Sequence, residues 1–251
     1  MNYKITNNNN IEYLQFTKLL EYPNLQHAIT LRTGDLDFGS IDNFHENKDQ
    51  FINNYKRICD ALNLDYNNVV RPKQTHTDNV EIIRKKSRKI KIFPKKLDNV
   101  DGLITNKKDV ILSTGYADCI PLIFFDPEKN IIANVHSGWQ GTLKQIAKKA
   151  VQKMMDEFNC EPQNIICCIG PSIRQCHFEV DKDVADLFYT QFDDLGVNVL
   201  DNPIMELTIN SSAIQGNSKY YIDTVLINRL ILQQMGLSEE NIIDCRNLHC
   251  V

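Results

Sequence analysis

Apolar positions recur along this chain at two spacings, one helical and one extended. Over Phe51–Asn63, the residues Phe51, Ile52, Tyr55, Ile58, Cys59 and Leu62 fall on one face of a helical repeat. Leu143, Ile146, Ala147, Ala150, Val151, Met154, Met155 and Phe158 do the same and predict a strong amphipathic helix. Further helices are expected near Val184–Phe192 and Val225–Met235. Short apolar runs at Val110–Leu112, Ile120–Phe125, Ile131–Val135 and Ile165–Ile169 predict strands. The polar stretch Thr75–Ile83 reads as a further strand that carries His76. Between two of the runs, Asp126-Pro127-Glu128-Lys129-Asn130 has the chemistry of a hairpin turn. Cys119 then opens one strand and His136 closes the next. Antiparallel pairing brings both to the same end of a sheet.

Helices mixed with hairpin strands predict an α/β fold, a mixed α+β sandwich of β-sheets flanked by helices. No internal repeat or linker interrupts residues 1–251, so one domain is expected. The chain of 251 residues, 42% of them hydrophobic, is long enough to bury a sizeable core.

A formal net charge of -4 gives no global attraction for nucleic acid or an anionic membrane, and neither is expected as a partner. The basic run Arg84–Lys96 reads as a solvated linker or hairpin. No apolar run approaches the ~20 residues of a membrane span. The opening MNYKITNNNN has no apolar segment of the secretory kind, so a cytoplasmic location is expected. The eight cysteines should then be reduced thiols, mostly small buried hydrophobes. Cys167 and Cys168 should point to opposite faces of one strand, and Cys59 to the buried face of a helix.

His76, Cys119 and His136 stand apart because each lies at an element edge beside small or turn-forming residues. Two imidazoles and a thiolate suit zinc, and three protein ligands leave a fourth position open for chemistry. Their spacings, 43 and 17 residues, match no compact zinc-finger pattern. From the residues alone each histidine reads equally well as a structural side chain. After His136, the Ser137–Thr142 segment leads from strand to helix and could offer free N–H groups to an anion. Asp101 and Asp118 are candidates for orienting a ligand or a ribose hydroxyl, with a plain turn as the alternative at Asp101-Gly102. His27, His45 and His249 carry no expected chemistry. His177 reads as a surface or packing residue, and Trp139 as an anchor for the helix start. Cys245 and Cys250 are close enough in sequence for a minor metal site.

Five blocks resemble the signatures of the laccase-like multicopper polyphenol oxidase family, whose members are also described as purine nucleoside phosphorylases and peptidoglycan-editing factors. The blocks are Arg71–Val80 (RPKQTHTDNV), Asp101–Asn106 (DGLITN), Ala117–Pro127 (ADCIPLIFFDP), Val135–Thr142 (VHSGWQGT) and Gly170–Val180 (GPSIRQCHFEV). The resemblance implies metal ligands at His76, Cys119 and His136, with zinc as the ion and copper as the alternative. The same three residues are implied to be catalytic, with Arg32 binding substrate or phosphate. It implies phosphorolysis of adenosine, inosine and methylthioadenosine, with adenosine deamination beside it, in a monomer or homodimer. A cysteine-dependent hydrolase or amidase acting on peptidoglycan precursors is the alternative, with Cys119 as nucleophile. A copper-dependent polyphenol oxidase is the other, although six histidines are few for its copper centres.

The sequence departs from the family pattern at several places. Gln140 stands where Arg is usual, Thr77 where Gly is usual, and His177-Phe178 where Cys-Tyr is common. The chain also stops at Cys250-Val251 without an aromatic and Arg-rich tail.

Overall fold

The two central apolar runs form the hairpin on which the rest is built. In the computed structural model, which describes residues 1–31, 46–86, 89–192, 205–208 and 219–245, Ile120–Asp126 pairs antiparallel with Ile131–Ser137. Asp126 lies opposite Ile131, and Pro121 opposite His136. The turn closes as its residues dictate. Asp126 Oδ1 accepts the N–H groups of Glu128 and Lys129, each at 2.9 Å, and Asn130 takes the left-handed conformation at φ 54°.

In chain order the elements are β1 (Tyr3–Asn8), β2 (Ile11–Phe16), β3 (Ile29–Thr30), α1 (Lys48–Ala61), β4 (Val69–Arg71), β5 (Val80–Ile82), β6 (Lys91–Ile92), β7 (Gly102–Thr105), β8 (Ile111–Leu112), β9 (Ile120–Asp126) and β10 (Ile131–Ser137). There follow α2 (Trp139–Leu143), α3 (Ile146–Phe158), β11 (Ile166–Ile169), β12 (Glu179–Val180), α4 (Lys182–Phe192), β13 (Met205–Thr208), β14 (Lys219–Ile222), α5 (Thr224–Gln234) and β15 (Ile242–Asp244). The main sheet has six strands in the order β15-β11-β9-β10-β7-β5. Its outer pairs, β11 with β15 and β7 with β5, are parallel, and the inner pairs are antiparallel. Three smaller sheets surround it: β1-β2-β3, β12-β14-β13 and β6-β4-β8. The fold is the expected mixed α/β type.

Each face of the main sheet has its own core. On one side Leu122, Phe124, Ala133, Val135 and Cys167 pack against Ile146, Ala147, Ala150, Val151 and Met154 of α3 and Ile227 and Ile231 of α5. On the other, Phe125, Ile166 and Cys168 meet Leu14, Phe16 and Leu19. Cys167 and Cys168 thus face opposite ways, as strand alternation predicts, and Cys59 is buried on α1. Full burial of a side chain such as Leu122 or Phe124 stabilises the fold by about 1.5–3 kcal/mol.

Three sequence readings need correction. The strand expected over Thr75–Ile83 is confined to Val80–Ile82, and His76 lies in a loop with φ 61°. The reason is that the N–H groups of Thr75, His76 and Thr77 all go to one carboxylate rather than to a strand partner. The helix expected over Leu143–Phe158 begins only at Ile146 as α3; Leu143 belongs to the short α2, which opens at Trp139, and Gln145 at φ 58° separates the two. Apolar spacing is blind to this break, because Leu143 and Ile146 keep the helical interval across it. The basic run is part of the fold rather than a bare linker. Lys91 and Ile92 pair with β4, while Arg84 and Lys86 reach Glu157 and Asp109. No helix among the described residues is long and apolar enough to cross a membrane.

Candidate metal centre

Strand directions carry four chain segments to one end of the main sheet. β10 ends there, with His136 next to last. β9 begins there, just after Cys119. β7 also begins there, with Gly102 opposite Val135. β5 runs parallel to β7, so the loop before it, which holds His76, arrives at the same edge. The donor atoms of His76, Cys119 and His136 consequently lie within 4.8 Å of one another. His136 is buried at 4% exposure, Cys119 is half-buried and His76 is exposed. The cluster therefore opens to solvent on the His76 side.

Gly138 forms its floor. A Cβ there would sit 2.7 Å from His76 Cδ2 and 3.0 Å from Cys119 Sγ. A methyl group would fill the space between the donors.

Asp101, with no exposed surface, ties the cluster together from behind. Its Oδ1 accepts the His76 N–H at 3.1 Å and lies 2.8 Å from His136 Nδ1. Its Oδ2 accepts the Thr77 N–H at 2.8 Å, the Thr77 hydroxyl at 2.7 Å and the Thr75 N–H at 3.3 Å. Burial alone would raise the Asp101 pKa. The hydrogen bonds from His136 and Thr77 outweigh burial and hold the carboxyl below its usual range. A proton on His136 Nδ1 in this contact leaves the Nε2 lone pair free, the arrangement common behind metal-bound histidines.

The donor set fits a zinc-sized ion. A tetrahedral zinc site places its N and S donors about 3.3–3.6 Å apart, within the 4.8 Å limit of this cluster. Burial, and then the charges of Asp118 and Asp101, push the Cys119 thiol up to about 11. A divalent ion is the partner that would hold it as thiolate at neutral pH.

Other polar groups support this edge without having stood out in the sequence. The Tyr116 ring centroid lies 5.7 Å from that of His136, and its hydroxyl donates to Asn134 Oδ1 at 2.6 Å. Gln74 clamps Gly115 at both ends, donating to its carbonyl at 2.8 Å and accepting its N–H at 2.7 Å. Gln74 lies inside the Arg71–Val80 block and Tyr116 immediately precedes the Ala117–Pro127 block, but neither stands in a spacing that singles it out.

The remaining sequence candidates are distributed as follows. Asp118 is exposed, and its carbonyl accepts the Ile173 N–H at 2.9 Å. Asp118 thus acts on Cys119 through charge, and the carboxylate in contact with both His76 and His136 is that of Asp101. His177 is exposed, with Nδ1 3.0 Å from Cys176 Sγ. Trp139 is half-buried against the main core, as an anchor should be. The one-turn α2 carries little of the aligned dipole that an anion site at Gly138–Thr142 would use. Arg32, His45, His249 and Cys250 lie outside the described residues.

With this geometry in place, comparison with known proteins identifies the family. Residues 27–250 match the family model described as "Multi-copper polyphenol oxidoreductase laccase". The chain belongs to that family. Among its relatives, "Purine nucleoside phosphorylase YlmD" of Bacillus subtilis is 33% identical over 79% of this chain and 67% of its own. "Adenosine deaminase RL5", from an unknown prokaryotic organism, is 31% identical over 77% of this chain and 72% of its own. "Purine nucleoside phosphorylase LACC1" of Mus musculus is 28% identical over 88% of this chain, which spans only 48% of that protein. Among solved structures, the Bacillus licheniformis hypothetical protein YfiH matches with a TM-score of 0.68 at 26% identity, over 81% of this chain and 72% of its own. The laccase in the family's description and the nucleoside enzymes among its named members are different chemistries.

Proposed function

We propose that this chain is a zinc-dependent purine nucleoside phosphorylase acting on adenosine, inosine and methylthioadenosine, with adenosine deamination as a second activity. The observation that carries the reading is the convergence of His76, Cys119 and His136 over Gly138, with Asp101 behind His136. The names of the relatives supply the substrate class. His76 Nδ1 or Nε2, Cys119 Sγ and His136 Nε2 would hold the ion. When bound, zinc supplies a Lewis acid that stabilises a departing purine or activates water.

The chain's own residues do the positioning. Asp101 keeps a proton on His136 Nδ1 and so keeps Nε2 free to ligate. Gly138 leaves room for the ion that any side chain would take. Arg32 is assigned the phosphate, on the family resemblance, because its guanidinium offers a fixed fork of donors to an oxyanion.

The test is turnover of adenosine, inosine and methylthioadenosine, with and without phosphate, on protein of measured zinc content. Release of free base that needs phosphate and is abolished by a chelator is the expected result. Cys119→Ala should lose both bound metal and turnover, and Arg32→Ala should raise KM for phosphate. Release of ammonia without phosphate would reduce the reading to a deaminase. Activity that survives chelation but not thiol alkylation would replace it with a cysteine hydrolase.

A further inference from the structure

His76 holds a backbone conformation, φ 61°, that costs a residue other than glycine roughly 1–2 kcal/mol. Something must hold it there, and the contacts converge on one group. Three successive N–H groups, from Thr75, His76 and Thr77, point at the Asp101 carboxylate. Successive N–H groups aimed at one anion form the concave backbone arrangement known as a nest. Here the anion is supplied by the protein. The same carboxylate takes the His136 ring at 2.8 Å, and the Asp101 carbonyl accepts the His136 N–H at 2.7 Å. One buried side chain thus fixes the backbone of one histidine and the ring of another, on segments 60 residues apart.

The Thr77 hydroxyl adds a contact that the backbone alone does not make. It lies 2.7 Å from Asp101 Oδ2 and 3.1 Å from the Asn99 carbonyl, and it accepts the Asn79 N–H at 3.2 Å. It therefore fastens the His76 loop to the loop preceding β7.

We propose that Asp101 is the positioning residue of the His76–Cys119–His136 centre and that the Thr77 hydroxyl locks it in place. The inference rests on the metal-site reading above, but not on any reaction. Both oxygens of Asp101 must accept, and asparagine cannot satisfy that demand. In one orientation its amide N–H groups oppose the N–H groups of Thr75 and Thr77. In the other they face His136 Nδ1, which can accept them only by moving its proton to Nε2 and losing the ligating lone pair.

Two readouts test this, neither of them turnover. In metal-free protein, the imidazole nitrogen shifts of His136 should report the Nδ1–H form in the native chain and a mixture or the Nε2–H form in Asp101→Asn. In competition with a chromophoric chelator, Asp101→Asn should bind cobalt(II) or zinc about 10–100-fold more weakly, with an altered cobalt spectrum. Thr77→Val, which keeps the shape and removes the hydroxyl, should weaken binding by about tenfold and tests the idea if Asp101→Asn does not fold. Native metal affinity and spectrum in both variants would overturn the proposal, whatever the turnover assay gives. An unchanged His136 tautomer in Asp101→Asn would overturn the assignment to His136 even if the native chain bound no metal.

Discussion

Gly138 is needed for space and not for flexibility, since its φ of -73° is open to any residue. Gly138→Ala would drive a methyl group to within 2.7 Å of the His76 ring and 3.0 Å of the Cys119 sulfur. Because His76 is exposed and can swing aside, the cost should fall on the site and not on the fold. Metal content measured by elemental analysis should drop to near zero, while urea denaturation shifts by less than about 1 kcal/mol. Full metal occupancy in this variant would mean that the ion does not sit over Gly138. His27 makes the opposite case, a histidine with a structural role only. Its Nε2 accepts the Phe16 N–H at 2.8 Å, and Nδ1 is buried with no partner among the described residues. Burial lowers its pKa to about 4. The unfolded chain takes up a proton near 6.5 that the folded chain refuses. Stability should therefore be level above about pH 6.5, fall between there and about 4, and level off again below. The total loss from this group is about 3 kcal/mol. Urea melts at about pH 7 and about pH 5, on either side of the unfolded-state pKa, should differ less in His27→Gln than in the native protein, and equal differences would remove His27 as the cause.

At the level of elements, patterning was legible where one periodicity ruled a whole segment. α3 and the β9–β10 hairpin follow from apolar spacing and turn residues, and the hairpin alone explains why Cys119 and His136 meet. The sequence reading failed where a contact distant in sequence overrides local preference. Thr75–Ile83 reads as one strand, yet the N–H groups of its first three residues are taken by Asp101, which no local rule foresees. The same contact favours the ligand-orienting candidate at Asp101 over the plain turn, a choice the residues alone leave even. Tyr116 and Gln74 were missed for a related reason: their partners, Asn134 and Gly115, are distant in sequence and no period links them. Helix ends can be tested directly. Asn159 closes α3 in the left-handed conformation at φ 54°, with N–H bonds returning to the carbonyls of the last turn. Asn159→Ala should cost about 1 kcal/mol and Asn159→Gly should stabilise by a few tenths, because only glycine adopts this conformation without strain. Thermal melts of the two variants should bracket the native protein, and the reverse order would mean that the cap is not formed.

At the scale of the whole molecule, the His76–Cys119–His136 edge is linked by a chain of contacts to the last described strand. The Gly170–Ile173 turn lies against the start of β9, through Gly170 N–H to the Pro121 carbonyl at 2.8 Å and Ile173 N–H to the Asp118 carbonyl at 2.9 Å. A Cβ on Gly170 would meet Pro121 Cγ at 2.7 Å, so the approach is close. Arg174, the next residue, crosses to β15 and pairs with Asp244 at 3.1 Å, with side-chain exposures of 14% and 5%. β15 is the outermost strand of the main sheet and is held there by parallel pairing with β11. The Arg174–Asp244 pair therefore joins the segment that borders Cys119 to the last described strand. Asp244 is buried and Arg174 part-buried, so removing Arg174 takes a charge partner from a buried carboxylate, at a cost of up to about 3 kcal/mol, the low end for a buried pair. Arg174→Met, which keeps the length and removes the charge, should lose about that much stability in urea and should raise amide exchange in both β15 and the Gly170–Ile173 turn. Exchange confined to β15, with the turn and Cys119 unaffected, would show the pair to be a local clasp on an edge strand. Exchange rising in both would make the docking of β15 part of what keeps the His76–Cys119–His136 edge in shape.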